Sequence, residues 1–390
     1  MKTKRLRSAQ NKVDPEGPNL IDFISKMPDD VLVMILSCLP IKRAVITSSS
    51  FSGSFRLDSS CSQHIDEWIH FALDKKIEKL DLYLSHESRD RAGNYEFKLP
   101  SSNGIVGAMQ MSFKKIFLYG VNLNEPTLNA ILKNSPFLEK LSVCVSDLYA
   151  HIHVGGQGVN LKRLIINSCS GVESIVLYGF DLVSFLYSGS EIQLRLVDLP
   201  KLKELDIGEV NVGFENNVFS QISSCALYLE VLVLNIGSAK KGLNVNAILK
   251  LPKVKKLMLI IGAEEDDSLL EYTSIAQACL SLETFSISLH WCSLMKKRRK
   301  VRHVAAPHLH KHLKFLEIIG YYGRISDLEL AVYVIDNAVA LKKITIDPCC
   351  HASEGRLTRE DFLKREQAAR CSAKRQITPL LPPGVDLAIL

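Results

Sequence analysis

The chain has 390 residues, enough for two or three compact units or for one extended array. Apolar residues make up 47% and charged residues 23%, which excludes a disordered chain; the longest stretch without a charge, Leu99 to Phe113, is too short and too polar to cross a membrane as a helix. Lys and Arg number 48 against 42 Asp and Glu, and a net charge of +6 is too mild at this length to specify nucleic-acid binding.

Residues 1–19 are polar and basic, carry Pro15, Gly17 and Pro18, and are expected to be disordered. Their basic start, Met1 to Arg7, is not followed by the apolar core of a secretory signal. A helix start comes next in Ile24-Ser25-Lys26-Met27-Pro28-Asp29-Asp30, with proline near the first helical position and two acids in the first turn. Val31, Leu32, Ile35, Leu36 and Leu39 recur at helical spacing, and Pro40 ends the run. Val33 and Met34 make the helix apolar almost all round. A module of about 40 residues cannot bury such a helix alone, so part of that surface is expected to meet a partner. The run from Ser48 to Arg56 is rich in Ser and Gly and has low helix propensity.

From residue 77 onward one pattern recurs: apolar, two variable residues, apolar, one variable, apolar. Its eleven copies start at Ile77, Phe113, Leu138, Leu161, Leu182, Leu202, Leu229, Val254, Leu282, Leu313 and Leu341, at spacings of 36, 25, 23, 21, 20, 27, 25, 28, 31 and 28 residues. Most of these lie within or near the ~20–29 residue period of leucine-rich repeats. The fourth and sixth positions share one face of a strand, and a single strand cannot bury that face; stacked neighbours can. The second and third positions are often charged, as in Glu78-Lys79, Lys114-Lys115 and Lys162-Arg163. Val172 to Leu177 also fits the pattern, out of phase with its neighbours.

The connecting segments are uneven. Pro136, Pro200 and Pro252 fix entry turns just before strands. Thr127 to Lys133 and Leu269 to Cys279 read as helical returns, whereas the Gly-rich His151 to Asn160 reads as a bare loop. Long insertions are expected at 83–112 and 288–312. The second carries the basic run Lys296, Lys297, Arg298, Arg299 and Lys300, which reads either as a nuclear-import signal or acidic-partner site, or as a solvated loop. Trp291 beside it is expected to be exposed, and Trp68 to be core. His308, His310 and His312 alternate and would share a face on a strand, but no Cys or acid clearly completes a metal site, so a surface or turn role is expected. Farther on, Ala331, Val334, Ile335 and Ala338 fall on one helix face, so a helix is expected to pack on the last strands and cap the array.

Recognised catalytic constellations are missing: no phosphate-binding Gly-rich loop follows a strand, and Gly-x-Ser-x-Gly does not occur. Glu264-Glu265-Asp266-Asp267 is consecutive and reads as a solvated loop. No metal, cofactor or catalytic residue is expected. Aromatics do not interleave with basic residues along the strands, which argues against a nucleic-acid platform. None of the ten cysteines forms a C-x-x-C pair, and most are expected to be reduced, small core residues.

Met27-Pro28-Asp29-Asp30-Val31-Leu32 with Ile35 to Ser48 resembles the F-box of plant F-box/leucine-rich-repeat proteins, and His312 to Tyr321 with Asp327 to Ala331 and Leu341 to Pro348 resembles the FBD domain that often closes them. The resemblance implies an α/β fold: an irregular leucine-rich-repeat solenoid with a small N-terminal helical F-box-like module and a C-terminal FBD-like cap. The expected units are a basic tail at 1–19, a shortened F-box-like module at 20–56, repeats at 57–312 and the FBD-like part at 313–385. By resemblance, Pro28, Val31, Leu32, Ile35, Leu36 and Leu39 bind the Skp1-type adaptor of a cullin ubiquitin ligase, and the repeats bind an unidentified protein target in the nucleus or cytoplasm, away from membranes. The family also carries a Trp-Arg pair in a third F-box helix, which this sequence lacks. A non-ligase repeat scaffold, competing for targets, therefore stays open beside the ligase reading.

Overall fold

The computed structural model describes residues 52–57, 65–66, 69–70, 73–74, 76–84, 95–99, 101–102, 105–106, 110–210, 217–236, 250–263, 268–291, 300–348 and 359–390. All of them belong to one compact unit, Thr47–Leu390. The 1–19 tail, the helix expected over Pro28 to Leu39, Trp68 and the basic residues Lys296 to Arg299 lie outside the described residues.

In chain order the strands are β1 (Ser52–Leu57), β2 (Lys79–Leu84), a short antiparallel pair β3 (Ser101–Ser102) and β4 (Ile105–Val106), β5 (Lys115–Tyr119), β6 (Lys140–Cys144), β7 (His151–Gly155), β8 (Arg163–Asn167), β9 (Ser174–Tyr178), β10 (Ser184–Ser188), β11 (Gln193–Val197) and β12 (Glu204–Val210). Then come β13 (Val231–Ile236), β14 (Lys256–Ala263), β15 (Thr284–Trp291), β16 (Phe315–Ile319), β17 (Lys343–Asp347) and β18 (Asp386–Ile389). Residues 65–66, 69–70 and 73–74 are helical, and the helices bounded among the described residues are α1 (Glu125–Asn134), α2 (Asn217–Cys225), α3 (Thr273–Ala278), α4 (Ile325–Asn337) and α5 (Arg359–Ile377).

All eleven copies of the repeat are strands of one parallel sheet, ordered β1-β2-β5-β6-β8-β10-β12-β13-β14-β15-β16-β17-β18. Their fourth positions stand in register: Leu80, Ile116, Leu141, Leu164, Phe185, Leu205, Leu232, Leu257, Phe285, Leu316 and Ile344. None of the first, fourth or sixth side chains is more than 9% exposed. At roughly 1.5–3 kcal/mol for each fully buried aliphatic side chain, this shared interior is the main stabilising term. The second position supplies the backbone splice. Its carbonyl accepts two N–H groups from the next repeat, as Glu78 does from Lys114 at 2.7 Å and Lys115 at 3.0 Å, and Glu139 from Lys162 and Arg163, both at 2.9 Å.

Three expectations change. The sheet starts at Ser52 in β1, so the boundary drawn at 56/57 falls inside a strand. The segment from His151 is not a bare loop: β7, the out-of-phase β9 and β11 pair in parallel as a second sheet on the return side. Ile152, Val154, Ile175, Leu177, Leu194 and Leu196 bury its inner face. The edge at β11 is closed by α2, where Gln221 accepts the Leu196 N–H at 2.9 Å and the Ser224 hydroxyl donates to the Leu196 carbonyl at 3.0 Å. Finally, α4 does not end the array. It returns the chain from β16 to β17, and the sheet runs on to β18, beyond the boundary at 385.

The expected helical returns are present. α1 starts at Asn124, whose side chain accepts the Thr127 N–H at 2.8 Å, and a 3-10 turn, Leu270–Tyr272, leads into α3. In α4, Ala331, Val334 and Ala338 are buried as the spacing predicts, but so are Asp327, Leu328, Glu329, Leu330, Val332 and Tyr333. The 300–312 segment covers the far side of this helix. Arg302 binds Glu329 through Nε at 3.0 Å and Nη2 at 3.1 Å, and Asn337 ties to Ala306 at 2.7 Å and to Val304 at 3.0 Å. Among the described side chains of α5 the buried ones form the narrow stripe Ala369, Ala373 and Ile377.

Candidate functional site

With the fourth and sixth positions turned inward, the third, fifth and seventh of every strand face outward, and the parallel register arranges them in rows across the sheet. The fifth-position row runs Asp81, Phe117, Ser142, Ile165, Leu186, Asp206, Val233, Met258, Ser286, Glu317 and Thr345. Its apolar members are half-buried, leaving a broken apolar stripe over the sheet. Asp206 sits in that stripe between Leu186 and Val233, and burial raises its carboxyl to about 6. At the seventh position Tyr83 and Tyr119 are neighbours with rings stacked at 4.2 Å and 7°.

Charge is arranged differently in two adjacent rows. The second-position row alternates in sign over Glu78, Lys114, Glu139 and Lys162, with ion pairs Lys114–Glu78 at 2.6 Å and Lys162–Glu139 at 2.5 Å. The same device returns in Lys203–Glu230 at 2.9 Å and Lys314–Glu283 at 2.7 Å. Hydrogen bonds from the facing lysines, then their charge, hold the carboxyls of Glu139 and Glu283 below the usual range. The third-position row, by contrast, places Lys79, Lys115, Lys140 and Arg163 side by side on β2, β5, β6 and β8. The sequence showed these residues to be basic. Only the register shows that they are neighbours of like sign.

The other expected site residues divide as follows. Pro28, Val31, Leu32, Ile35, Leu36 and Leu39 lie outside the described residues, and of the basic run only Lys300 is described, exposed at the head of the 300–312 segment. The three alternating histidines do not lie on a strand. His310 is buried against Gln277 at 2.8 Å and the Tyr333 hydroxyl at 3.4 Å, and burial lowers its pKa, while His308 and His312 are exposed. Among the described residues no group of His, Cys, Asp or Glu is placed to hold a metal ion, and no helix is long and apolar enough to cross a membrane. Cys144, Cys169, Cys225 and Cys279 are buried and free, with burial raising their thiols to between about 11 and about 12; Cys371 is exposed.

A sequence family described as the At1g61320/AtMIF1 LRR domain matches residues 101–390. Among curated proteins, the chain is 27% identical to the F-box/LRR-repeat protein At3g03360 of Arabidopsis thaliana, over 31% of this chain and 38% of that protein. It is 28% identical to the F-box/LRR-repeat protein At5g02910 of the same plant, over 48% of this chain and 52% of that protein. The matched part thus spans about two fifths to a half of these relatives, and the resemblance to plant F-box/leucine-rich-repeat proteins read from the residues is borne out.

Proposed function

The chain belongs to the At1g61320/AtMIF1-type LRR domain family, and on that premise we propose that it is a non-catalytic target-recognition subunit of a Skp1–cullin–F-box ubiquitin ligase. The observation that carries this reading is the outward face of the thirteen-stranded sheet. It is wide, fixed by a buried core in register, and patterned with apolar and charged rows of the kind a protein partner can complement. The names of the two relatives and the segment from Met27 to Ser48 support adaptor binding through Pro28, Val31, Leu32, Ile35, Leu36 and Leu39. Holding target and charged conjugating enzyme on one scaffold makes the transfer effectively intramolecular, so the chain needs no reactive group of its own. The full chain is expected to capture a plant Skp1-type adaptor, and Leu32→Asp with Leu36→Asp to abolish capture. Failure of the unmodified chain to bind refutes the ligase reading.

A second reading, a repeat scaffold outside any ligase, has an observation of its own. β1 begins at Ser52, four positions after the F-box-like segment ends at Ser48, and the Trp-Arg pair of a third F-box helix is missing from the sequence. This reading expects target capture without adaptor capture.

A further inference from the structure

Resting on the target-recognition reading, we propose that the outward face of β2, β5, β6 and β8 binds an extended acidic segment of a partner polypeptide, its carboxylates on Lys115, Lys140 and Arg163 and an apolar side chain against Phe117. The first ground is electrostatic. Strands in a sheet lie about 4.8 Å apart, and like charges directly opposite one another are destabilising. One row away the chain neutralises itself by alternating Glu and Lys, yet here it sets four cations in succession. Only the ends of the row are compensated, Lys79 by Asp81 at 2.5 Å on its own strand and Arg163 by Glu204 at 3.5 Å from two strands away. Among the described residues Lys115 and Lys140 make no ion pair; the Glu139 carboxylate that feels the Lys115 charge is itself paired with Lys162.

The second ground is the floor beside that row. Phe117 and Ile165 stand half-buried on either side of Ser142, which is itself buried, so the floor is closed between them. The stacked Tyr83 and Tyr119 rings extend the apolar surface on the far side of Phe117. The face thus offers a row of cations beside half-buried apolar side chains, with stacked aromatic rings at its edge. An extended peptide presents every second side chain to one face, about 7 Å apart, so carboxylates at i and i+2 fall within the roughly 10 Å from Lys115 to Arg163, and the long Lys and Arg side chains take up the difference of about 3 Å. A nucleic acid suits this site less well: Glu78, Asp81, Glu139 and Glu204 fence the row, and fixed carboxylates repel a continuous phosphate chain.

The test uses the full chain and a random copolymer of glutamate and tyrosine as probe, with poly-glutamine as the uncharged control and single-stranded DNA as the competing polyanion. The copolymer is expected to bind, poly-glutamine not to bind, and DNA to compete only weakly. Lys115→Glu with Lys140→Glu is expected to weaken copolymer binding at least about ten-fold, because two charge-assisted contacts are lost. Lys256→Glu with Lys343→Glu, on the same row of distant strands, is expected to leave binding unchanged. Because repulsion is relieved, Lys140→Gln is expected to keep or raise the melting temperature, which separates loss of binding from loss of fold. No copolymer binding, equal loss in both double variants, or displacement by DNA at lower concentration each overturns the proposal. Adaptor capture is measured on the same preparations. Capture without copolymer binding sinks the acidic site and spares the ligase reading, and copolymer binding without capture does the reverse.

Discussion

The three repeats starting at Leu138, Leu161 and Leu182 have spacings of 23, 21 and 20 residues, and each returns through a strand, β7, β9 or β11. The repeats starting at Phe113, Leu202, Val254 and Leu313 have spacings of 25, 27, 28 and 28, and return through α1, α2, α3 and α4. Both kinds feed the same front sheet in the same register, so the front strand does not decide the back of the repeat. Chain length does. A strand advances about 3.3 Å per residue and a helix about 1.5 Å, so five strand residues cover about the distance that ten helical residues cover. The strand-return repeats are two to eight residues shorter than the helix-return ones, and the extended return suits the shorter chain.

The sharpest way to break this comparison is to remove one buried side chain from each kind of return. Leu177 in β9 and Leu330 in α4 are both fully buried. Leu177→Ala and Leu330→Ala are each expected to cost about 2–5 kcal/mol in urea unfolding. A loss well under this for Leu177→Ala alone would mean that the second sheet is an overlay rather than part of the core.

An intermediate effect is expected at the eighth position, where the chain turns out of the front strand. Gly120 and Val145 hold the same left-handed turn, with φ of 69° and 49°, in a helix-return and a strand-return repeat. A Cβ at Gly120 would lie 2.3 Å from the Leu84 carbonyl oxygen. Gly120→Ala is therefore expected to lose about 1–3 kcal/mol, whereas Val145→Gly, which relieves a β-branched residue in that region, is expected to be neutral or to gain up to about 1 kcal/mol. Thermal unfolding of both variants checks the contrast; a clear loss in Val145→Gly would show that packing outweighs the turn there.

The smallest effect concerns the alternating charge row. Glu139→Gln is expected to cost at most about 1 kcal/mol at neutral pH and to fade with added salt, as exposed pairs do. Because Lys162 depresses the folded-state pKa of Glu139, its contribution is present above the unfolded carboxylate pKa and is lost as pH falls through the folded value. The gap between Glu139→Gln and the unmodified chain should thus close in acid; a gap independent of pH would assign the effect to packing.

Much of the fold is legible in the sequence because the front strand is a local rule. Leu138, Leu141 and Val143, or Leu282, Phe285 and Ile287, announce one buried face within six residues, and the eleven copies give the order of the stack. The return strands were harder to read. His151-Ile152-His153-Val154-Gly155 alternates, but its glycine and its histidines look like a loop until β9 lies beside it. β1 offered even less signal, since Ser52-Gly53-Ser54 carries no apolar side chain and becomes a strand through pairing with β2. The candidate site is half legible: the sequence shows basic residues at the third position, but not that those of β2, β5, β6 and β8 stand side by side.

The residues by themselves determined which segments become front strands, which side chains they bury and that neighbours stack in chain order, because two-residue alternation and the burial of Leu, Ile and Val act within a few positions. Tertiary structure alone decided that Lys115, Lys140 and Arg163 stand together while Glu139 and Lys162 neutralise each other, that α4 is covered on both sides, and that the short repeats build a second sheet. Each of these depends on residues 20 or more positions apart being brought to strand spacing, and only the stacked register of the whole array fixes those distances.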